Sequence, residues 1–126
     1  MTQRPYRICL IEDDEIMGEA LVDRFGLEGF ECDWFRQGRP ALETLGRKRY
    51  DVVLSDIQLP DINGEVLFEE ARATGSELPP WVFITGYGAI DGAVRMLKLG
   101  AEDYLTKPLD IRLLVDVVKR YTERAA

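Results

Sequence analysis

Five times along this chain a short apolar run rich in β-favouring residues gives way to a stretch whose apolar side chains recur at helical spacing. "YRICLI" (6–11) precedes a helical pattern at 14–28 with Ile16, Met17, Ala20, Leu21 and Phe25 as its stripe. "FECDWF" (30–35) precedes a short helix at 38–48, and "DVVLS" (51–55) precedes one at 64–74. "WVFIT" (81–85) leads to a helix at 89–99. "EDYLT" (102–106) leads to a last helix at 111–123, capped by Asp110 and showing Ile111, Leu114, Val118 and Tyr121 on one face. "GSELPP" (75–80) reads as a loop, because two successive prolines stop a helix, and Gly100 suits a helix C-terminus. Strands this apolar, alternating with helices, need a parallel sheet covered on both faces, an α/β architecture. No repeat or low-complexity linker interrupts the pattern, and 126 residues suit a single domain, 1–126, with a core of its own.

Open parallel sheets bind ligands beyond the carboxyl ends of their strands, so the residues at those ends carry the functional reading. Strand one runs into "EDDE", four acids in succession, Glu12 to Glu15. Acids suit a helix N-terminus; they also suit a cation. Strand three ends in Ser55-Asp56, strand four in Thr85-Gly86, and strand five runs into Lys107-Pro108. With strands one and three adjacent, Glu12, Asp13 and Asp56 converge, and their repulsion raises their pKa values unless a cation relieves it. A few oxygen ligands favour a hard ion that keeps its waters, Mg²⁺. Lys107 adds one positive charge and Thr85 a hydroxyl beside the open backbone of Gly86. Together they suit a phosphoryl group on Asp56, with its oxygens neutralised by the metal and Lys107 and hydrogen-bonded by Thr85. Singly, each residue is ordinary: a turn aspartate, a β-favouring threonine, a surface Lys-Pro, a turn glycine at Gly64. Their order at successive strand ends makes the pattern specific.

Composition narrows the field further. A formal net charge of -7 argues against direct nucleic-acid binding by this domain. The chain has no histidine, so it has no imidazole base, no histidine metal site and no phosphohistidine of its own. Cys9 and Cys32 lack CxxC spacing and read as buried core thiols. No run approaches the roughly 20 apolar residues of a membrane span, and "MTQRPYR" is not a signal peptide, so a cytoplasmic protein is expected.

"LIEDDE", "LSDIQLPDINGEVLF" and "ITGYGAIDGAVRMLKLGAEDYLTKPL" resemble the receiver (response regulator) domains of two-component signalling, over essentially the whole chain. The resemblance implies a flavodoxin-like (βα)5 sandwich of three layers with strand order 2-1-3-4-5. It implies Asp56 as phosphoacceptor, Thr85 and Lys107 as its hydroxyl and lysine partners, and a Mg²⁺ site. Asp13 would be a direct ligand, Glu12 would act through water, and the backbone carbonyl of Gln58 would join Asp56. It also implies a cis bond at Lys107–Pro108, a switch pairing Thr85 with Tyr104, and a histidine kinase as phosphodonor. Asp14 and Glu15 are then left as the helix start.

"TGYGAIDGAVRMLKLGAEDYLTKP" most resembles receivers of the nitrogen-regulator class, which precede an ATPase and a DNA-binding domain. Departures are Gly86, where alanine or serine is commoner, and Gln58 and Tyr87 at two variable positions that tune dephosphorylation in the family. The signal is expected to leave through the helix at 89–99, with Ile90, Val94 and Leu97 as its core stripe and Ala89, Ala93 and Met96 on a second, exposed side. Gly92 should hold that helix loosely. With strand 102–106 and helix 111–123 it forms an expected output or homodimer face, including Leu113 and Val117. An aspartyl-phosphate phosphatase or phosphotransferase is the enzymatic alternative, but a haloacid-dehalogenase-like enzyme needs a second aspartate where Gln58 stands. A flavin module is disfavoured because "EDDE" repels a phosphate.

Overall fold

The structure, a computed structural model, describes residues 4–124, without the side chains of Tyr87 and Arg124. Expectations resting on the first three and last two residues, including the reading of the chain start, fall outside it. Strands β1 (Arg7–Ile11), β2 (Glu31–Phe35), β3 (Val52–Asp56), β4 (Trp81–Thr85) and β5 (Asp103–Thr106) alternate with helices α1 (Glu15–Leu27), α2 (Gly38–Leu45), α3 (Gly64–Ala73), α4 (Ile90–Lys98) and α5 (Ile111–Arg124). A single 3-10 turn, Tyr87–Ala89, leads into α4. All strand pairs are parallel, and the order is β2-β1-β3-β4-β5. The expected flavodoxin-like arrangement is therefore the one observed.

Alternation along the strands divides the core. Cys9, Ile11, Val53, Trp81 and Phe83 face one way, with Leu67, Phe68 and Ala71 of α3 and Ala93 and Met96 of α4. Ile8, Leu10, Val52, Leu54, Val82 and Ile84 face the other, with Leu21 and Phe25 of α1 and Leu114, Val118 and Tyr121 of α5. The central strands β3 and β4 are buried at every position, as parallel strands covered on both faces must be. The edge strand β2 is not, so Cys32 is half-buried rather than a core thiol, while Cys9 is fully buried. Burial pushes both thiols above their ordinary pKa, Cys32 to about 12.

Helix ends follow local chemistry. The Asp14 side chain accepts from the Met17 N–H at 2.9 Å and caps α1, Asn63 caps α3, and Asp110 caps α5 through the Leu113 N–H at 3.1 Å. Gly100 follows α4 with φ of 115°, the left-handed position a glycine tolerates. A cap that the sequence did not disclose joins two loops: Asp61 accepts from the N–H groups of Gly38 and Arg39 at 2.8 and 2.7 Å, at the start of α2.

Three helix faces differ from expectation. On α1, Ile16 is 83% exposed and Ala20 is also exposed, because Gly18, Leu21 and Phe25 face the sheet and Ile16 lies about half a turn round from Gly18. On α4 the buried side is Gly92, Ala93 and Met96, while Val94 is exposed and Ile90 and Leu97 are half-buried. Small residues face inward there because the Glu65 carboxylate of α3 occupies the space a Cβ at Gly92 would need. Gly92 is thus a close-packing residue rather than a loosening one. On α5, Val117 is buried together with Val115, since the helix lies flat on the sheet; Leu113 remains exposed.

Gly64 marks the tightest backbone approach near the sheet edge. Its N–H donates to the Ile57 carbonyl at 2.6 Å, and a Cβ there would lie 2.5 Å from the Asp56 carbonyl oxygen and 2.7 Å from Ile57 Cα. Both neighbours are backbone and cannot rotate away. Gly64→Ala is expected to cost about 2 kcal/mol, read as a lower urea midpoint at unchanged slope. Gly86→Ala, where nothing lies within 4 Å of an added Cβ, should stay within about 0.5 kcal/mol of the parent.

Candidate functional site

Strand register builds the site. Ile11 pairs with Ser55 and Asp56 with Ile84, so Glu12 and Asp56 emerge side by side beyond β1 and β3, with Thr85 one residue further along β4. Thr85 pairs with Thr106, and the Lys107 N–H donates to the Thr85 carbonyl at 2.9 Å, which brings Lys107 to the same edge. One carboxylate oxygen from each of Glu12, Asp13 and Asp56 lies within 4.8 Å of the others. Glu12 and Asp56 are buried; Asp13 is exposed.

Lys107 is the counter-charge. Its Nζ donates to Asp56 Oδ2 at 2.7 Å and lies 3.2 Å from Glu12 Oε1. Asp56 Oδ1 accepts from the Gln58 N–H at 3.0 Å, and Glu12 Oε2 accepts from the Asp14 N–H at 3.0 Å. Glu12 Oε1 is buried without an aligned hydrogen bond, the contact with Lys107 being close but poorly directed. Thr85 is buried, and its hydroxyl donates to the Gly86 carbonyl at 3.1 Å. Lys107–Pro108 is cis. Tyr104, opposite Phe83 on β5, is half-buried against the α3–α4 side of the core. Gln58 is exposed and offers no second carboxylate two residues beyond Asp56.

Charge balance shapes the titration. Burial, reinforced by the nearby Asp56 charge, pushes Glu12 up to about 7, against the pull of the Asp14 N–H and Lys107. Burial alone would lower Lys107, but the bond to Asp56 and the charges of Asp56 and Glu12 hold it above its ordinary value. Three carboxylates thus face one ammonium. An all-oxygen donor set, in which the buried Glu12 Oε1 has an ion-pair neighbour but no aligned hydrogen bond, fits a hard divalent cation such as Mg²⁺.

Sequence reasoning named Glu12, Asp13, Asp56, Thr85 and Lys107, and the fold brings all five to one sheet edge. It passed over Trp34, whose indole N–H donates to the Glu12 carbonyl at 2.8 Å. It treated Gly64 as a turn residue, although it packs on the backbone of Asp56 and Ile57. It did not anticipate the ion pair between Glu65 and Arg95 at 3.1 Å, which ties α3 to α4. Twenty-two residues separate Trp34 from Glu12, and no motif spacing spans such a distance.

A five-stranded parallel α/β sheet in the order 2-1-3-4-5, with acids and a lysine gathered at its carboxyl edge, defines a flavodoxin-like domain built to hold a small charged group. The chain belongs to the response regulator receiver domain family, whose model matches residues 8–119. Receiver domains of this family are phosphoacceptor signalling switches. Among curated relatives, the chain is 37% identical over 115 residues to the response regulator protein FleR of Pseudomonas aeruginosa, covering 91% of this chain and 24% of FleR. It is 39% identical over 114 residues to the transcriptional regulatory protein QseB of Escherichia coli O157:H7, covering 90% of this chain and 50% of QseB. Among solved structures, the signal receiver domain of a LuxO repressor protein from Vibrio parahaemolyticus superposes with a TM-score of 0.89 at 25% identity, over 97% of this chain and 93% of that one. The chain spans half or less of the two curated relatives.

The Glu12 shift has a consequence for stability. Without a cation, native Glu12 keeps a proton up to about pH 7 that the unfolded chain releases in the ordinary carboxylate range. The native state therefore binds more protons in that window, and stability falls as pH rises through it. With no histidine in the chain, few other groups titrate there. The melting temperature in EDTA is expected to decline from about pH 5 to about pH 8, and Glu12→Gln should remove that decline. Saturating Mg²⁺ should flatten it. A melting temperature that rises steadily with pH in EDTA would contradict the assignment.

Proposed function

We propose that residues 1–126 act as one receiver unit in which Asp56 is the phosphoacceptor, with a histidine kinase as donor. The observation that carries this reading is a buried Asp56 held by Lys107 at 2.7 Å inside a group of three carboxylates. A carboxylate oxygen of Asp56 attacks phosphorus. The new P–O bond forms as the bond from phosphorus to the kinase's imidazole nitrogen breaks, and the electron pair leaves with that nitrogen. Glu12, Asp13, Asp56 and the Gln58 backbone carbonyl would hold Mg²⁺. Bound there, the ion supplies positive charge to the transferring oxygens. The Lys107 ammonium remains beside the acceptor and pairs with a phosphoryl oxygen. The Thr85 hydroxyl exchanges the Gly86 carbonyl for another, and Tyr104 turns inward into the space released. Self-dephosphorylation belongs to the same reading, with exposed Gln58 and position 87 flanking the group.

The output face proposed is that of α4, β5 and α5, on which Val94 and Leu113 are exposed. It would serve a homodimer or an output domain of a longer protein. A transcriptional output, of the kind the name QseB states for that relative, and the nitrogen-regulator class belong to this proposal, as does action in the cytoplasm. Among the described residues no helix is long and apolar enough to cross a membrane.

Asp56→Asn is expected to abolish the phosphoryl adduct formed with acetyl phosphate, read by intact mass, while the fold persists, because the amide still accepts from Lys107. A retained adduct would assign the acceptor to another carboxylate. Asp13→Ala and excess EDTA should each suppress the adduct in the parent background.

For the switch, hydrogen exchange with and without beryllofluoride is expected to change across residues 86–100, as α4 shifts against the Glu65–Arg95 tie and Gly92 contact. Unchanged protection there, with changes elsewhere, moves the output to another helix.

A further inference from the structure

Three consecutive residues at the end of β2 all reach the acidic loop. The Trp34 indole N–H donates to the Glu12 carbonyl at 2.8 Å. The Phe35 carbonyl accepts from the Glu12 N–H at 2.9 Å, one step beyond the β1–β2 ladder. The Arg36 guanidinium donates to the Asp13 carbonyl at 3.4 Å and lies 6.0 Å from the centre of the Trp34 ring. The Trp34 ring in turn lies on α1 where a Cβ at Gly18 would stand, with the ring atoms Cζ2, Cε2 and Nε1 nearest. The indole is therefore aimed from two sides: by the bare glycine beneath it and by the carbonyl it binds. Neither contact belongs to the regular sheet or helix ladder.

We propose that Trp34 is a positioning residue for the cation ligands, and that with Arg36 and Gly18 it forms a clamp fixing the backbone of Glu12 and Asp13. The reason lies in the charge of the site. Three carboxyl groups crowd one sheet edge, and two of them ride on the β1–α1 loop, so movement of that loop would spread the ligand set. Bonds to the carbonyls of both residues and to the N–H of Glu12 resist that movement. The ligand set is then held ready, and cation binding does not have to spend part of its free energy in ordering the loop. The clamp touches only main-chain atoms of the ligand residues, so it acts on their placement and leaves their carboxylates free.

This inference rests on the reading of Glu12, Asp13 and Asp56 as a Mg²⁺ site. The test uses the 126-residue chain, with Mg²⁺ alone as probe, followed by calorimetry and by amide NMR shifts of residues 10–15. Trp34→Phe keeps a ring on Gly18 and deletes the N–H. It is expected to weaken Mg²⁺ binding about fivefold, the value of one hydrogen bond. Phosphorylation by acetyl phosphate should then need proportionally more Mg²⁺ to reach half its maximal rate, with the rate at saturating Mg²⁺ unchanged. Loss of the plateau rate instead of the affinity would show a general structural defect and overturn the positioning role. Gly18→Ala, which displaces the indole but retains it, should weaken binding similarly, and the double variant should be no worse than either single one. Additive losses, or parental affinity in Trp34→Phe, overturn the clamp. Absence of Mg²⁺ binding by the parent chain overturns the metal site itself, a result distinct from the others.

Discussion

The crowding of the carboxyl groups of Glu12, Asp13 and Asp56 at one sheet edge, two of them buried, is the constraint around which the rest of the site is arranged. Two of the three are buried, and Lys107 pairs with both of those. Such an arrangement costs folding free energy, and it persists because the scaffold resists its relaxation. The scaffold does so with its stiffest parts. Asp56 ends the fully buried central strand β3, Glu12 follows β1 beside it, and Lys107 is tied by its backbone to Thr85 at the end of β4. Bonds from the Asp14 and Gln58 N–H groups spread part of the negative charge into the loops. The result is an all-oxygen cluster of the donor type that suits a hard divalent cation.

The same edge connects to the surface opposite through small residues. Gly64 lets α3 begin directly against the backbone of Asp56 and Ile57. Its neighbour Glu65 covers Gly92 of α4 and pairs with Arg95. A change at Asp56 therefore meets α3 at its first turn and α4 one side chain later. Because the Glu65–Arg95 pair is substantially exposed on the arginine side, it contributes modestly to stability, and its loss in a shifted helix would be tolerable.

Much of this was legible in the order of residues alone. A repeated apolar run followed by a helical stripe admits few arrangements other than a covered parallel sheet, and strand-end chemistry is local: "EDDE", Asp56, Thr85 and Lys107 sit next to the strands that deliver them. The Asp110 cap was legible for the same reason, since it acts on an N–H three residues away, and Asp14 was legible as part of a helix start. The inward face of α4 was not legible. Hydropathy favours Ile90, Val94 and Leu97, yet the helix turns Gly92, Ala93 and Met96 inward, with Glu65 filling the space beside Gly92 and the core taking Ala93 and Met96.

The sequence by itself determined the elements, their order, and which chemical groups stand at the strand ends, because each depends on residues within a turn or a strand of one another. Only the tertiary structure decided what those groups touch. That Lys107 bonds Asp56 rather than solvent, that Trp34 reaches the Glu12 carbonyl, and that Asp61 caps a helix more than twenty residues earlier follow from strand register and helix approach. Those depend on side-chain volumes summed over the whole core, which no local spacing encodes.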